Sequence, residues 1–276
     1  MSADVPGEDV TDSTIDPTDA DEDDAKVADP GSDPEATAGA DRDRFSFEDV
    51  SVVMGTYNEE AAIGTVIDDV AAVTDGQAEV VCVDGSDDRT PEIARERGAT
   101  VIEQEPQGYG VAVREAILTP DRPVVVTTDC DDTYPMEQLP EFLDLINDGY
   151  DVVSGDRLYH GAEAMPAFNR LGNRAFAAVA SVLTGTRVHD TTTGMRAYRR
   201  EVVESIEWTE NTGLSAELLI RPLMRGYDVR EHPIEYRERA GETKLDPLKG
   251  GAEIARSIVK VSLEERLREL SHRPTR

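Results

Sequence analysis

Lysine, cysteine and tryptophan are nearly missing from this 276-residue chain, and each shortage removes a class of explanation. Lysine occurs only at Lys26, Lys244, Lys249 and Lys260, and the other basic residues are arginines. Against 58 acids the formal charge is −30, which excludes a net-basic nucleic-acid binder. Acid surplus with so little lysine fits a protein kept soluble at high salt, where self-repulsion is screened. It says nothing about the substrate. Cys82 and Cys130 are the only cysteines, lie in or beside apolar runs and lack Cys-x-x-Cys spacing. A disulfide framework and a cysteine zinc cage are thereby excluded, leaving two small core residues in a cytosolic setting. His160, His189, His232 and His272 have no mutual ligand spacing, and Trp208 and Met195 read as core. No signal peptide is expected, and no apolar stretch reaches membrane-spanning length. A lipid substrate would therefore be met from the side of the membrane.

What is present falls into three zones. Residues 1–44 hold 15 acids and 3 bases with almost no large apolar residue, so they cannot bury enough surface to offset ordering entropy. They are expected to form a disordered acidic tail, a solubilising extension rather than a partner-binding segment. Residues 45–246 alternate between β-branched runs and amphipathic stretches. Strands are expected at 51–55, 79–84, 100–103, 124–128 and 151–155, helices at 60–73, 90–97, 110–117, 136–147 and 166–183, and further strands at 194–198 and 228–236. This predicts an α/β domain, a mostly parallel sheet flanked by helices. Residues 247–276 contain an amphipathic helix over 254–270, whose arginines suit either anionic lipid heads or the helix dipole.

Chemistry concentrates where strands end. Asp129-Cys130-Asp131 follows the apolar run Val124–Thr128. In an extended chain, residues i and i+2 share a side, so both acids can face the crevice at the carboxyl ends of the strands. A carboxylate pair there can hold a divalent ion, Mg2+ or Mn2+, and through it a diphosphate. Gly55 leads into Thr56-Tyr57-Asn58-Glu59, polar residues suited to a nucleobase and ribose, although Thr56 or Asn58 could equally cap the next helix. After the second strand, Asp84 is placed to accept hydrogen bonds from a base or ribose, Gly85 and Ser86 turn the chain, and Asp87, Asp88 and Thr90 read as turn and cap. Gln107-Gly108-Tyr109-Gly110 opens a helix, with glycines that either let backbone approach a ligand or simply make a turn.

Taken in order, Thr56–Glu59, Val83–Ser86, Gly108–Gly110 and Asp129–Asp131 resemble the family-two glycosyltransferases of GT-A fold. Gly155–Arg157, Asn169–Asn173, Asp190–Arg196 and Arg239–Leu245 look like the dolichyl-phosphate mannose or glucose synthase branch. The resemblance spans about residues 50–246. It departs where Val83 replaces an acid and where Asp132-Thr133 follows the metal motif, which leaves UDP and GDP both open, with UDP-glucose slightly favoured.

The resemblance implies a metal-dependent, inverting transfer of a hexose from a nucleotide sugar to dolichyl phosphate. It implies nucleotide-sugar binding by Thr56, Tyr57, Asn58, Glu59, Asp84, Gly85, Ser86, Gln107, Gly108, Gly110 and Cys130, and catalysis by Asp129, Asp131, Arg157 and Arg196. Combined with the acidity, it implies a peripheral protein on the cytoplasmic face of an archaeal membrane, serving protein glycosylation or a surface glycan. A lipid phosphate is already anionic at neutral pH and needs cations more than a base. Arg157, Arg170, Arg196 and Lys244 are read as its clamp, one of them being expected to serve structure instead. Asp190 is expected to orient an arginine or a loop, and Glu217 either lines the acceptor site or is a paired acid. Apolar positions from Met165 to Leu183 are expected mainly as buried core, the alternative being a helix dipping into a membrane interface. Other activities left open are transfer to a sugar hydroxyl, which needs a true base, and a non-catalytic nucleotide-sugar module.

Overall fold

The computed structural model describes residues 44–239 and 247–272. Residues 1–43 of the expected tail, and Lys244 of the expected clamp, lie outside them. Seven strands form one sheet: β1 (Val50–Thr56), β2 (Glu79–Asp84), β3 (Thr100–Glu103), β4 (Val124–Thr127), β5 (Val152–Asp156), β6 (Arg196–Arg199) and β7 (Val229–Pro233). Their spatial order is β3-β2-β1-β4-β6-β5-β7. Pairings are parallel except that β6 runs antiparallel to both β4 and β5.

The valine-rich runs become strands because both sheet faces are covered. Alternation then sorts the side chains. Val52 and Met54 of β1, Val80 and Cys82 of β2, and Val124 and Val126 of β4 enter one core. Their neighbours Val53, Val81, Val83 and Val125 enter the opposite one. The first core is closed by helices α1 (Ile63–Val73), α2 (Thr90–Glu96) and α4 (Leu139–Asn147), and the second by α3 (Tyr109–Leu118), α6 (Arg200–Ser205) and α7 (Leu214–Met224). A third cluster joins α7 to α5 (Ala167–Thr184) and α8 (Pro247–His272) through Ala180, Leu219, Ile254, Ile258 and Val261. A buried ion network also ties α7 to α8, Arg221 reaching Glu217 and Glu265, each at 2.7 Å.

The sequence-based elements recur with small shifts, and three points are corrected. The strand expected at 194–198 occupies Arg196–Arg199 and reverses the sheet direction. A short helix, α6, follows it unannounced. The C-terminal helix begins at Pro247 rather than near Ile254. The expectation of a buried α5 also changes: only Ala177 and Ala180 are buried, while Phe168, Leu171, Val179 and Val182 are exposed.

Candidate active site

Strand order turns from β1 toward β2 on one side and β4 on the other, so a crevice opens at the carboxyl ends of these three strands. Hydrogen bonds between their loops build its floor. Thr56 Oγ1 donates to Asp84 Oδ1 at 2.5 Å, Ser86 Oγ donates to the same oxygen at 2.7 Å, and the Ser86 N–H reaches Asp84 Oδ2 at 3.0 Å. Asn58, held at φ 52°, donates its N–H to Ser86 Oγ at 2.8 Å and accepts the Asp87 N–H at 3.0 Å. Asparagine tolerates that left-handed conformation better than most residues. Asp84 thus spends three acceptor positions on shape, and its carboxylate retains limited capacity toward a ligand. Beside it lies a cavity of about 520 Å³ lined by Tyr57, Asp84, Gly85, Ser86, Asp87, Glu103, Gln104, Glu105 and Pro106. Acidic, hydrogen-bonding walls of this kind suit a sugar or base with N–H and O–H donors and repel a phosphate.

The two motif acids come together after β4, by a route other than the expected pleat. β4 stops at Thr127, and the chain bends through Cys130 to Asp132, which has φ 63°. Asp131 is buried, its Oδ1 accepting the Thr133 N–H at 3.2 Å and hydroxyl at 2.6 Å. Its Oδ2 pairs with Arg239, whose guanidinium also lies 3.9 Å from Glu59. Asp129 is half-buried and accepts the Tyr109 hydroxyl at 3.3 Å. Burial, and then the negative charge of Asp131, push its carboxyl up to about 6. Cys130 points into the core, so only its backbone can face a ligand. Two crowded carboxylates that draw in a guanidinium fit a divalent ion, for which Arg239 stands in. Among the described residues no three His, Cys, Asp or Glu side chains converge as a metal cage. An ion held by Asp129 and Asp131 would complete its shell with phosphate oxygens and water, as Mg2+ commonly does.

The glycine loop before α3 owes its composition to packing. Gly108 has φ 104°, a region open to glycine. A Cβ on Gly110 would sit 2.5 Å from the Asn211 backbone, which leaves no room for a side chain. Asn211 accepts the Gly110 N–H at 2.8 Å and donates to the Gln107 carbonyl at 3.1 Å, setting Tyr109 against Asp129. Gly194, two residues before β6, works similarly, since a Cβ there would meet Asp129 Oδ2 at 2.5 Å. Gly194→Ala is expected to displace that carboxylate and weaken divalent-ion binding about tenfold, an effect of about 1.4 kcal/mol. Ion titration of the two proteins checks it, and unchanged affinity would refute the crowding argument.

Of the expected clamp, Arg157 and Arg196 are buried and Arg170 is half-buried, each with partners inside the protein. Arg157 grips Asp190 with Nε at 2.7 Å and Nη2 at 2.9 Å, and also bonds Thr192 and Tyr134. Its guanidinium lies 5.4 Å from the Tyr236 ring. Arg196 is fully buried on a central strand, donating to Ser154 and to the Thr191 carbonyl. Arg170 donates to the carbonyls of Gly161 and Ala162. Arg157, 6% exposed, and Arg196, 0% exposed, are thus engaged within the fold. Burial alone would raise Asp190, yet Arg157 holds its carboxyl below the usual range. Glu217 is wholly buried and paired with Arg221.

Arg239, Asn211 and Tyr134 were not singled out by the sequence as site residues. Arg239 had a signal, since it opens the motif string running to Leu245. Tyr134, whose hydroxyl accepts the Gly194 N–H at 2.6 Å, and Asn211 had none.

Residues 51–207 match the family model described as glycosyl transferase family 2. The chain is 76% identical over 224 residues to a dolichyl-phosphate hexose transferase of Haloferax volcanii, covering 81% of this chain and 98% of that one. It is 36% identical to the low-salt glycan biosynthesis hexosyltransferase Agl6 of the same organism, covering 73% of this chain and 51% of Agl6. Its fold is similar to glucosyl-3-phosphoglycerate synthase of Mycobacterium tuberculosis solved with Mn2+ and UDP-glucose. That match has a TM-score of 0.63 at 25% identity and covers 78% of each chain.

Proposed function

The chain belongs to glycosyl transferase family 2 and has its GT-A-like fold, and on that footing we propose that it moves a hexose from a nucleoside-diphosphate sugar to dolichyl phosphate. The observation that carries the reading is the carboxylate pair Asp129 and Asp131 after β4, at the same strand ends as the cavity of about 520 Å³ lined by Tyr57, Asp84 and Ser86. The Haloferax relative's name supports the acceptor and the class of sugar. The neighbour that binds UDP-glucose and Mn2+ supports the donor and the ion.

In this reading Tyr57, Asp84 and Ser86 hold the nucleoside, which leaves its diphosphate toward Asp129 and Asp131. A divalent ion held by those two carboxylates would neutralise the departing nucleoside diphosphate. Tyr109 and Gly194 fix where Asp129 can stand, so part of the orientation cost is met before the donor arrives. The acceptor phosphate is ionised near neutral pH and attacks the anomeric carbon without a protein base. This favours the lipid phosphate over a sugar hydroxyl, because Asp190, the acid best placed by sequence to be a base, is committed to Arg157. Incubation with labelled UDP- and GDP-hexoses and a short polyprenyl phosphate tests the proposal. The expected product is chloroform-extractable and acid-labile, with UDP-glucose the first donor to try. No lipid-linked product from any donor, or label on a free sugar hydroxyl, would overturn it.

Among the described residues, no helix is long and apolar enough to cross a membrane. The outer face of α5 offers a lipid contact instead. From Ala164 to His189 a chain of charge −30 carries no acid, while Arg170, Arg174 and Arg187 remain. Phe168 and Leu171, 62% and 70% exposed, stand on the first turns of α5, beyond the carboxyl end of β5. Burying each in lipid is worth about 1.5–3 kcal/mol. The double variant Phe168→Asp and Leu171→Asp is expected to lose co-sedimentation with phospholipid vesicles but keep activity on a short, water-soluble polyprenyl phosphate. Undiminished co-sedimentation would remove α5 from the contact.

A further inference from the structure

The carboxylate pair already has a cation. Asp131 Oδ1 is taken by Thr133, and its remaining oxygen faces Arg239. That side chain is 31% exposed, reaches toward Glu59 and also draws down the Asp129 carboxyl. It is fixed by charge at the place where a divalent ion would bind.

We propose that Arg239 is the counter-ion of the carboxylate pair and competes with the divalent ion, which is therefore admitted together with a nucleoside diphosphate rather than alone. The inference rests on the donor and ion of the reading above and adds the order in which they bind. An ion on Asp131 Oδ2 and a guanidinium on the same oxygen repel each other across a few ångströms of partly desolvated space. Two carboxylates also satisfy only part of an ion's shell. A diphosphate supplies the missing oxygens and gives the displaced guanidinium a bidentate partner. Arg239 thus opposes the bare ion and assists the ion–nucleotide pair.

The test is binding rather than turnover. Free Mn2+ is measured by electron paramagnetic resonance in the wild type and Arg239→Gln, at one fixed KCl concentration, with and without UDP. The variant is expected to bind Mn2+ alone about tenfold tighter, and UDP in the presence of Mn2+ about tenfold weaker. A purely structural role would weaken both or change neither, and either result overturns the proposal. Arg237→Gln, whose guanidinium pairs with Glu137 on the surface, is expected to change neither affinity. If it tightens Mn2+ equally, general surface charge is the cause and the proposal fails. Because Mn2+ binding without nucleotide needs no glycosyl transfer, an inactive protein with the expected crossed affinities would refute the acceptor reading and leave this one standing.

Discussion

Asp129→Asn is expected to lower transfer about a thousandfold while leaving the ion-free protein as stable as before or more so. The two halves have separate causes. Charge stabilisation of a leaving diphosphate is worth several kcal/mol, and a single preorganised partner typically carries a factor of about 10²–10³. Removing one of two carboxylates takes away both ligation and half of the pair's charge. For stability, Asp129 is a liability when no ion is bound. Its carboxyl stands at about 6 in the fold, against about 3.9 in an unfolded chain. A raised acid contributes stability that is fully present below about pH 4 and lost as pH rises through 6. Near pH 7.5 the wild type therefore carries an unfavourable term, of about 1 kcal/mol once solvent screening of a partly open group is allowed for. Asp129→Asn removes it, and with it part of the fall in stability between pH 4 and 6. Because Asp129 accepts only the Tyr109 hydroxyl among the described contacts, little packing is lost. Asp131→Asn is a poorer probe, since Asp131 also anchors Thr133. Thermal melting in chelator across pH 4–8, with product counting at saturating Mn2+, checks both halves. Full activity of the variant in chelator would end the metal reading, and a melting collapse at pH 7.5 would show that Asp129 is a fold residue.

How far this site could be read from sequence depended on whether its contacts were local. β1, β2 and β4 announced themselves, because strands buried on both faces must be nearly continuous valine, and each ends in the polar residues that face the crevice. For β6 a strand was expected at 194–198 but its direction was not, because a four-residue strand holding Arg196 and Arg199 carries no pattern that marks it as antiparallel. Neighbouring strands and loops hold those side chains, Arg199 through the Tyr150 and Ile146 carbonyls and Arg196 through Ser154 and the Thr191 carbonyl, with Arg196 Nη1 left buried and unpaired. Arg157 and Arg196, expected in a phosphate clamp, have partners inside the fold, Arg157 the Asp190 carboxylate and Arg196 Ser154 and the Thr191 carbonyl, because a guanidinium suited to phosphate is equally suited to buried acceptors. Asn211 and Gly110 meet across 101 positions, a distance at which no motif spacing carries information. For α5, helical periodicity was right and its meaning was ambiguous, since an apolar stripe looks the same facing a core or a lipid.

Arg157→Ala is expected to cost about 3–5 kcal/mol of stability, because it strands the wholly buried Asp190 without its guanidinium. In a chain of this size that is roughly a ten-degree fall in melting temperature. The ion pair joins the end of β5 to the segment leading into β6, and Gly194 on that segment abuts Asp129. Transfer should therefore fall with every donor and acceptor alike. A residue that touched only the acceptor phosphate would behave differently, raising the acceptor KM and sparing donor binding. The paired substitution Arg157→Met with Asp190→Leu separates the two roles. Replacing both charges of a buried pair by apolar groups is often neutral, so melting should return to within about 1 kcal/mol of the wild type. If Arg157 braces the wall, most of the transfer returns as well. A variant that melts normally yet keeps an acceptor KM raised more than tenfold would show the guanidinium meeting the phosphate directly, which requires it to leave Asp190 during turnover.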